Sequence, residues 1–115
     1  MPPTLADRLS HILTAINAIN KMLTNKTGEE FAVDFPTRLA VERALEIICE
    51  ASRRIPDSIK LQQKNIKWQR MVDFGNLLRH AYHSIDPQTV FDIVEHDLPP
   101  LKQFVERVIR DSERQ

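Results

Sequence analysis

The chain reads as an all-α protein, an up-and-down helical bundle with one short extra helix, and three observations carry that reading. Apolar residues recur in steps of three and four over most of its length. No segment alternates apolar and polar residues as a half-buried strand would, and no repeat or low-complexity tract is present. Pro36, Pro56, Pro87 and the Pro99-Pro100 pair stand where one periodic segment gives way to the next. At 115 residues the chain is a single domain, 1–115, with material for one core and not two.

In chain order, Thr4 is the expected N-cap of a first helix whose Leu5, Leu9, Ile12, Ile16, Ile19 and Leu23 lie on one face. His11 sits beside that stripe and reads as a partly exposed structural histidine. Thr24 to Gly28 end the helix, and Thr27-Gly-Glu-Glu is a capping-box pattern that opens a short acidic turn into Phe31 and Val33. Asp34-Phe-Pro36 reads as a break. The segment 37–55 is then the longest helix candidate. Val41, Leu45, Ile48, Ser52 and Ile55 form its seam, and Ala40, Ala44, Ile47 and Ala51 form a neighbouring seam of mostly small residues suited to close helix packing. Glu50 and Arg54 are an i, i+4 pair in the favourable order. Pro56 closes this helix. From Arg53 to Arg70 six basic residues face one acid, Asp57, and Lys60, Lys64, Lys67 and Arg70 lead directly into the next helix, either as contacts to RNA phosphates or as a solvated connection. Near the end, Asp86-Pro87 caps and opens a short helix through Val94, and Asp97-Leu-Pro-Pro100 breaks it before a last helix with Leu101, Phe104, Val105 and Val108 inward.

Composition narrows the function. The formal net charge is zero, so no global field draws the chain to nucleic acid. A single cysteine, Cys49, excludes an intrachain disulfide framework and a Cys-rich zinc site, and it fits a reducing compartment. No apolar run approaches the ~18 residues of a membrane helix, and the N-terminus lacks a secretion signal, so a cytoplasmic protein without membrane attachment is expected. No cofactor is expected.

The segment 68–86 holds the only Trp, the only Tyr and two of the four His residues. Read as one helix, it presents Met71, Phe74, Leu78, Ala81 and Ile85 on one face. Asn76, Arg79, His80 and His83 share the opposite face, with Tyr82 at the border. A solvent-facing stripe of amide, guanidinium and two imidazoles, in place of the usual Lys and Glu, can do chemistry. Histidine has an unperturbed pKa near 6.5 and offers both proton donor and acceptor at neutral pH. Arginine offers a planar, permanently charged fork.

The run Asn76-x-x-x-His80-x-Tyr82 resembles the core of the HEPN-domain ribonucleases, in particular the HepT branch of bacterial toxins, whose motif is Arg-Asn, three residues, then His-x-Tyr. Gly75 stands at the position of the motif Arg, and Arg79 is the nearest replacement. Two further segments carry the likeness. One is 38–51, where Cys49-Glu50-Ala51 replaces the common Gly-Glu-Ala; the other is Asp-Leu-Pro-x-Leu-Lys at 97–102. The resemblance therefore spans almost the whole chain. It implies a HEPN bundle and a metal-independent endoribonuclease acting on single-stranded RNA. It also implies a homodimer with both motifs lining one cleft, and a partner antitoxin, a minimal nucleotidyltransferase (MNT), that silences the toxin by adding AMP to Tyr82. On this reading His80 is essential, Arg79 stabilises charge, Asn76 orients His80 or binds a phosphate oxygen, and His83 is a second imidazole. Gly75→Arg is then expected to raise activity. Two other readings stay open: a HEPN domain that has lost cleavage and serves as an interaction or RNA-binding module, and a metal site formed by His80, His83 and Asp86.

Overall fold

The structure, a computed structural model, describes residues 2–114 apart from the side chain of Tyr82. These residues form seven α-helices: α1 (Leu5–Met22), α2 (Gly28–Val33), α3 (Phe35–Arg53), α4 (Asp57–Lys60), α5 (Trp68–His80), α6 (Pro87–His96) and α7 (Leu98–Glu113). No strand occurs among the described residues. α3 lies between α1 and α5, α7 packs on α1 and α6, and α2 is held against α6 and α3.

Local chemistry sets the corners. The Thr4 hydroxyl accepts from the Asp7 amide at 3.1 Å while the Asp7 carboxylate accepts from the Thr4 amide at 2.9 Å, a reciprocal box that starts α1. Thr27 and Glu30 repeat the device at 3.0 and 3.1 Å. There it does more than shape an acidic turn: it closes a six-residue helix, α2, which drives Phe31 fully into the core against the Phe91 ring at 5.8 Å. Asn25, at φ 63°, supplies the left-handed residue that ends the α1 segment, a conformation asparagine tolerates better than most residues.

The break expected at Asp34-Phe-Pro36 is tighter than the sequence suggests. Asp34 ends α2 and caps α3 at once: its carboxylate accepts from the Thr37 amide (3.2 Å) and hydroxyl (2.7 Å) and pairs with Lys26 at 3.4 Å. Pro36 fits the first turn, where its missing N–H is not needed, so α3 begins at Phe35 and not at Thr37. Asp97 likewise joins α6 to α7 without a loop.

The main seam of α3 is buried as expected, from Val41 through Ile55. Its second seam is not uniform: Ala44 and Ala51 are buried, whereas Ala40 and Ile47 are exposed. The long α3 axis thus serves two neighbours with one face and leaves Phe35, Leu39 and Ile47 to solvent. No helix among the described residues is long and apolar enough to cross a membrane.

Candidate functional site

α5 carries the site. Met71, Phe74, Gly75 and Leu78 are buried against the core, and Asn76, Arg79 and His80 face outward, as the periodicity predicts. The helix does not run on to Ile85, however. It ends at His80, Ala81 leaves helical geometry at φ −138°, and Tyr82–Ser84 form a 3-10 turn. Two local causes act together. Pro87 disfavours helical backbone at Asp86, and the Ser84 amide and hydroxyl both donate to the Ala81 carbonyl at 3.0 Å, a turn that competes with the helical ladder. Ile85 is still buried, reached by this different backbone route. His83 therefore belongs to the turn, and the i+7 relation to Asn76 read from an unbroken helix does not hold. The side chain of Tyr82, the modification site implied by the resemblance, lies outside the described residues.

Arg79 is the best-positioned of the candidate groups. Its Nη2 donates to Asn76 Oδ1 at 2.5 Å and its Nη1 to Glu50 Oε2 at 3.2 Å. Asn76 thus orients Arg79, one turn along the same face, with its side-chain oxygen. Glu50 also receives Arg54 through Nε and Nη2 at 3.2 Å and pairs with Arg53 at 3.6 Å. Burial pushes the Glu50 carboxyl up, but the hydrogen bond from Arg54 and the charges of Arg53, Arg54 and Arg79 outweigh it and leave the group below its ordinary value. Glu50 is therefore an anion shared among three guanidiniums. It fixes Arg79 and leaves that guanidinium donors to spare, since it has five N–H groups.

Arg79 also lines a groove of about 190 Å³ with Arg8 and His11 of α1 and with Arg43, Glu46 and Glu50 of α3. His11 is exposed there, beside the site. Its sequence neighbourhood shows only the edge of an amphipathic stripe, and nothing local announces that α1 delivers an imidazole to the flank of α5.

Gly75 is explained by packing. A Cβ at this position would lie 2.8 Å from Cys49 Cβ, inside any normal contact, so α3 and α5 approach closely here because one of them lacks a side chain. Cys49 is buried, and burial, reinforced by the Glu46 charge, pushes its thiol up to about 12. It is a packed thiol and no nucleophile at neutral pH.

The basic residues expected to meet RNA do not form one patch. Lys60 and Lys64 line a groove beside Trp68, Lys67 lines a different one with His96 and Asp97, and Arg70 pairs with Asp97 at 3.4 Å. All four lie toward the start of α5, whereas His80 ends it. Asp86, a ligand in the metal reading, caps α6 by accepting from the Gln88 amide at 3.0 Å. Among the described residues no group of three His, Cys, Asp or Glu side chains is placed to hold a metal ion.

The structure is an all-α bundle that offers an exposed Asn/Arg/His face at the end of a central helix. The comparisons give it a family. The family model described as "Ribonuclease HepT-like" matches residues 12–108. The "Probable ribonuclease HepT" of Thermococcus cleftensis is 37% identical over 102 residues, covering 89% of this chain and 93% of that protein. An RNase-named protein of Methanocaldococcus jannaschii is 38% identical over 100 residues, 87% of this chain and 92% of its own. No solved structure matches the chain. The chain belongs to the HepT-like ribonuclease family, the HepT branch of the HEPN domains.

Proposed function

We propose that this protein is the toxin of a HepT/MNT toxin–antitoxin pair, a cytoplasmic, metal-independent endoribonuclease that cuts single-stranded RNA. The observation that carries this reading is the triangle of Asn76, Arg79 and Glu50 beside His80, in a chain of the HepT-like ribonuclease family. His80 takes the proton of a ribose 2′-hydroxyl, and the freed oxygen attacks the adjacent phosphorus. The P–O5′ bond breaks as the new P–O2′ bond forms, leaving a 2′,3′-cyclic phosphate. The departing 5′-oxygen takes a proton from a second imidazole, either His83 or a histidine of a second subunit. Arg79, held by Asn76 and Glu50, meets the charge that builds on the phosphoryl oxygens. Pairing of two subunits would double these groups in one cleft. The exposed Leu77 beside Asn76, and Ile47 on the Arg79 groove, supply apolar surface next to the site for such a homodimer.

The expected result is cleavage of single-stranded RNA in EDTA with cyclic or 3′-phosphate ends. Arg79→Lys should lower the rate by about tenfold or more, because an ammonium cannot keep both the Asn76 and Glu50 contacts and still offer a fork to phosphate. Cleavage that stops in EDTA and returns with a divalent ion would overturn the mechanism. The competing reading, a HEPN module that binds without cutting, is favoured by the buried Gly75 where the motif has Arg. Absence of cleavage together with retained binding would establish it.

For Tyr82 the proposed role is acceptor of AMP from the MNT antitoxin. It lies two residues past His80, the last residue of α5, so an added phosphodiester and base would bring negative charge and bulk to the cleft. Co-expression with the nucleotidyltransferase should add one or more AMP masses, lost in Tyr82→Phe. Neutralised toxicity at an unchanged mass would show inhibition by complex formation instead.

A further inference from the structure

At the opposite end of α5 from His80, the chain's only tryptophan is held by three contacts. Trp68 opens the helix and is only partly buried. Its Nε1 donates to the Gln63 carbonyl at 3.3 Å, and its ring meets Phe104 edge-on, with centroids 5.6 Å apart and planes at 70°. Those two contacts fix the plane of the indole. The Lys60 ammonium stands over the ring, 5.7 Å from its centroid. The ring walls a groove of about 530 Å³ that Lys60, Lys64, Gln69 and Leu61 also line, and Asp57 is its only acid. Leu61, next to the ring in this groove, is 64% exposed. The volume falls within the ~300–1,000 Å³ typical of sites for small organic groups.

We infer that this groove docks an unpaired nucleobase of single-stranded RNA, stacked on Trp68, with Lys60 and Lys64 on the flanking phosphates. A fixed indole plane is a low-entropy platform for a base, and every base has a matching π-face. The position of Lys60 shows that a cation already favours the electron-rich ring face. When a base takes that face, the flexible Lys60 stem carries its ammonium outward to the sugar–phosphate chain. Lys67 and Arg70 take no part, since Lys67 lines another groove and Arg70 is engaged by Asp97. The Gln69 side chain donates one N–H to Asp73 at 3.0 Å, so part of its hydrogen-bonding capacity is engaged and stacking is the main recognition. Twelve helical steps lead from Trp68 to His80, about 18 Å at 1.5 Å per residue, so this is a docking site remote from the cleaved bond. The inference rests on the reading of the protein as acting on RNA.

Because Trp68 is the only tryptophan, its fluorescence reports the site directly. The full chain carrying His80→Ala, titrated with a labelled oligoadenylate RNA, should show saturable quenching of Trp68 that tracks the anisotropy of the label. Trp68→Ala should weaken binding about tenfold or more, and Trp68→Phe should keep most of it. Lys60→Ala with Lys64→Ala should weaken binding and reduce the salt slope by about 1.4, near 0.7 per lost contact on a single strand. Anisotropy that saturates with no change in Trp68 emission would overturn the inference, as would unchanged affinity in the double lysine variant, or no binding by either signal. Quenching without any cleavage by the wild-type protein would defeat the nuclease reading and leave this site standing. Cleavage with a silent Trp68 would defeat this site alone.

Discussion

Gly75→Arg is expected to destabilise this protein and not to restore a missing guanidinium, and Cys49→Gly is expected to rescue it. The contact responsible is between two Cβ positions, 2.8 Å apart if residue 75 had a side chain. A Cβ is fixed to the backbone, so no rotamer change relieves the clash and the two helices must separate. They would do so in the middle of the α3–α5 packing, where Leu45, Ile48, Met71 and Phe74 meet. Overpacking of this kind typically costs about 1–3 kcal/mol. Even Gly75→Ala, which normally gains about 1 kcal/mol of helix propensity, should therefore fail to stabilise. Arginine adds a charge next to a buried position, a further cost unless it finds a partner. The family pattern that this chain resembles has the small residue at 49 and the arginine at 75; here Cys49 and Gly75 exchange small for large across one contact. Urea unfolding of Cys49→Gly, Gly75→Arg and the double variant measures the coupling directly, with an expected favourable interaction of about 1 kcal/mol or more. Only the double variant should then cleave RNA faster than wild type. A Gly75→Arg protein as stable as wild type, with no coupling to Cys49, would show that packing does not keep residue 75 small.

That contact also marks the limit of what the sequence makes legible. The helix starts at Thr4 and Asp86 were readable, because each side chain caps within three residues of itself, whereas Thr27 and Asp34 also cap locally but read as an acidic turn and a break and in fact start α2 and α3. The buried stripes of α1 and α3 follow from period alone. The end of α5 did not, because apolar Ala81 and Ile85 continue the helical register while Pro87 and Ser84 stop the helix. Tertiary neighbours were invisible. Nothing near Gly75 mentions Cys49, nothing near His11 mentions Arg79, and a charge count over 53–70 cannot tell that Arg70 turns to Asp97 while Lys60 covers Trp68. For the site, residue types on one face of α5 were legible. The ion pair that seats Arg79 on Glu50 required two helices to be placed side by side.

His80→Ala is expected to remove RNA cleavage, by a factor of about 10² to 10⁴, the usual worth of a positioned acid–base group. His80 is exposed at the last residue of α5, so the substitution should leave the unfolding midpoint almost unchanged, within the ±0.5 kcal/mol or so typical of surface sites. Loss of rate without loss of stability separates chemistry from folding. The placement favours His80 over His83 as the base, since His80 ends a helix whose Arg79 is already tied to two partners, whereas His83 lies in the 3-10 turn after that helix ends. His83→Ala should accordingly cost less, because in the proposed homodimer a second subunit would offer another imidazole to the leaving oxygen. A His80→Ala protein that still cuts at the wild-type rate would move the reaction away from the end of α5. The next imidazole against Arg79 is then His11, in the groove with Arg8 and Arg43. Loss of cleavage in His11→Ala, with His80→Ala active, would place the general base on α1 and leave Arg79 as the one group common to both arrangements.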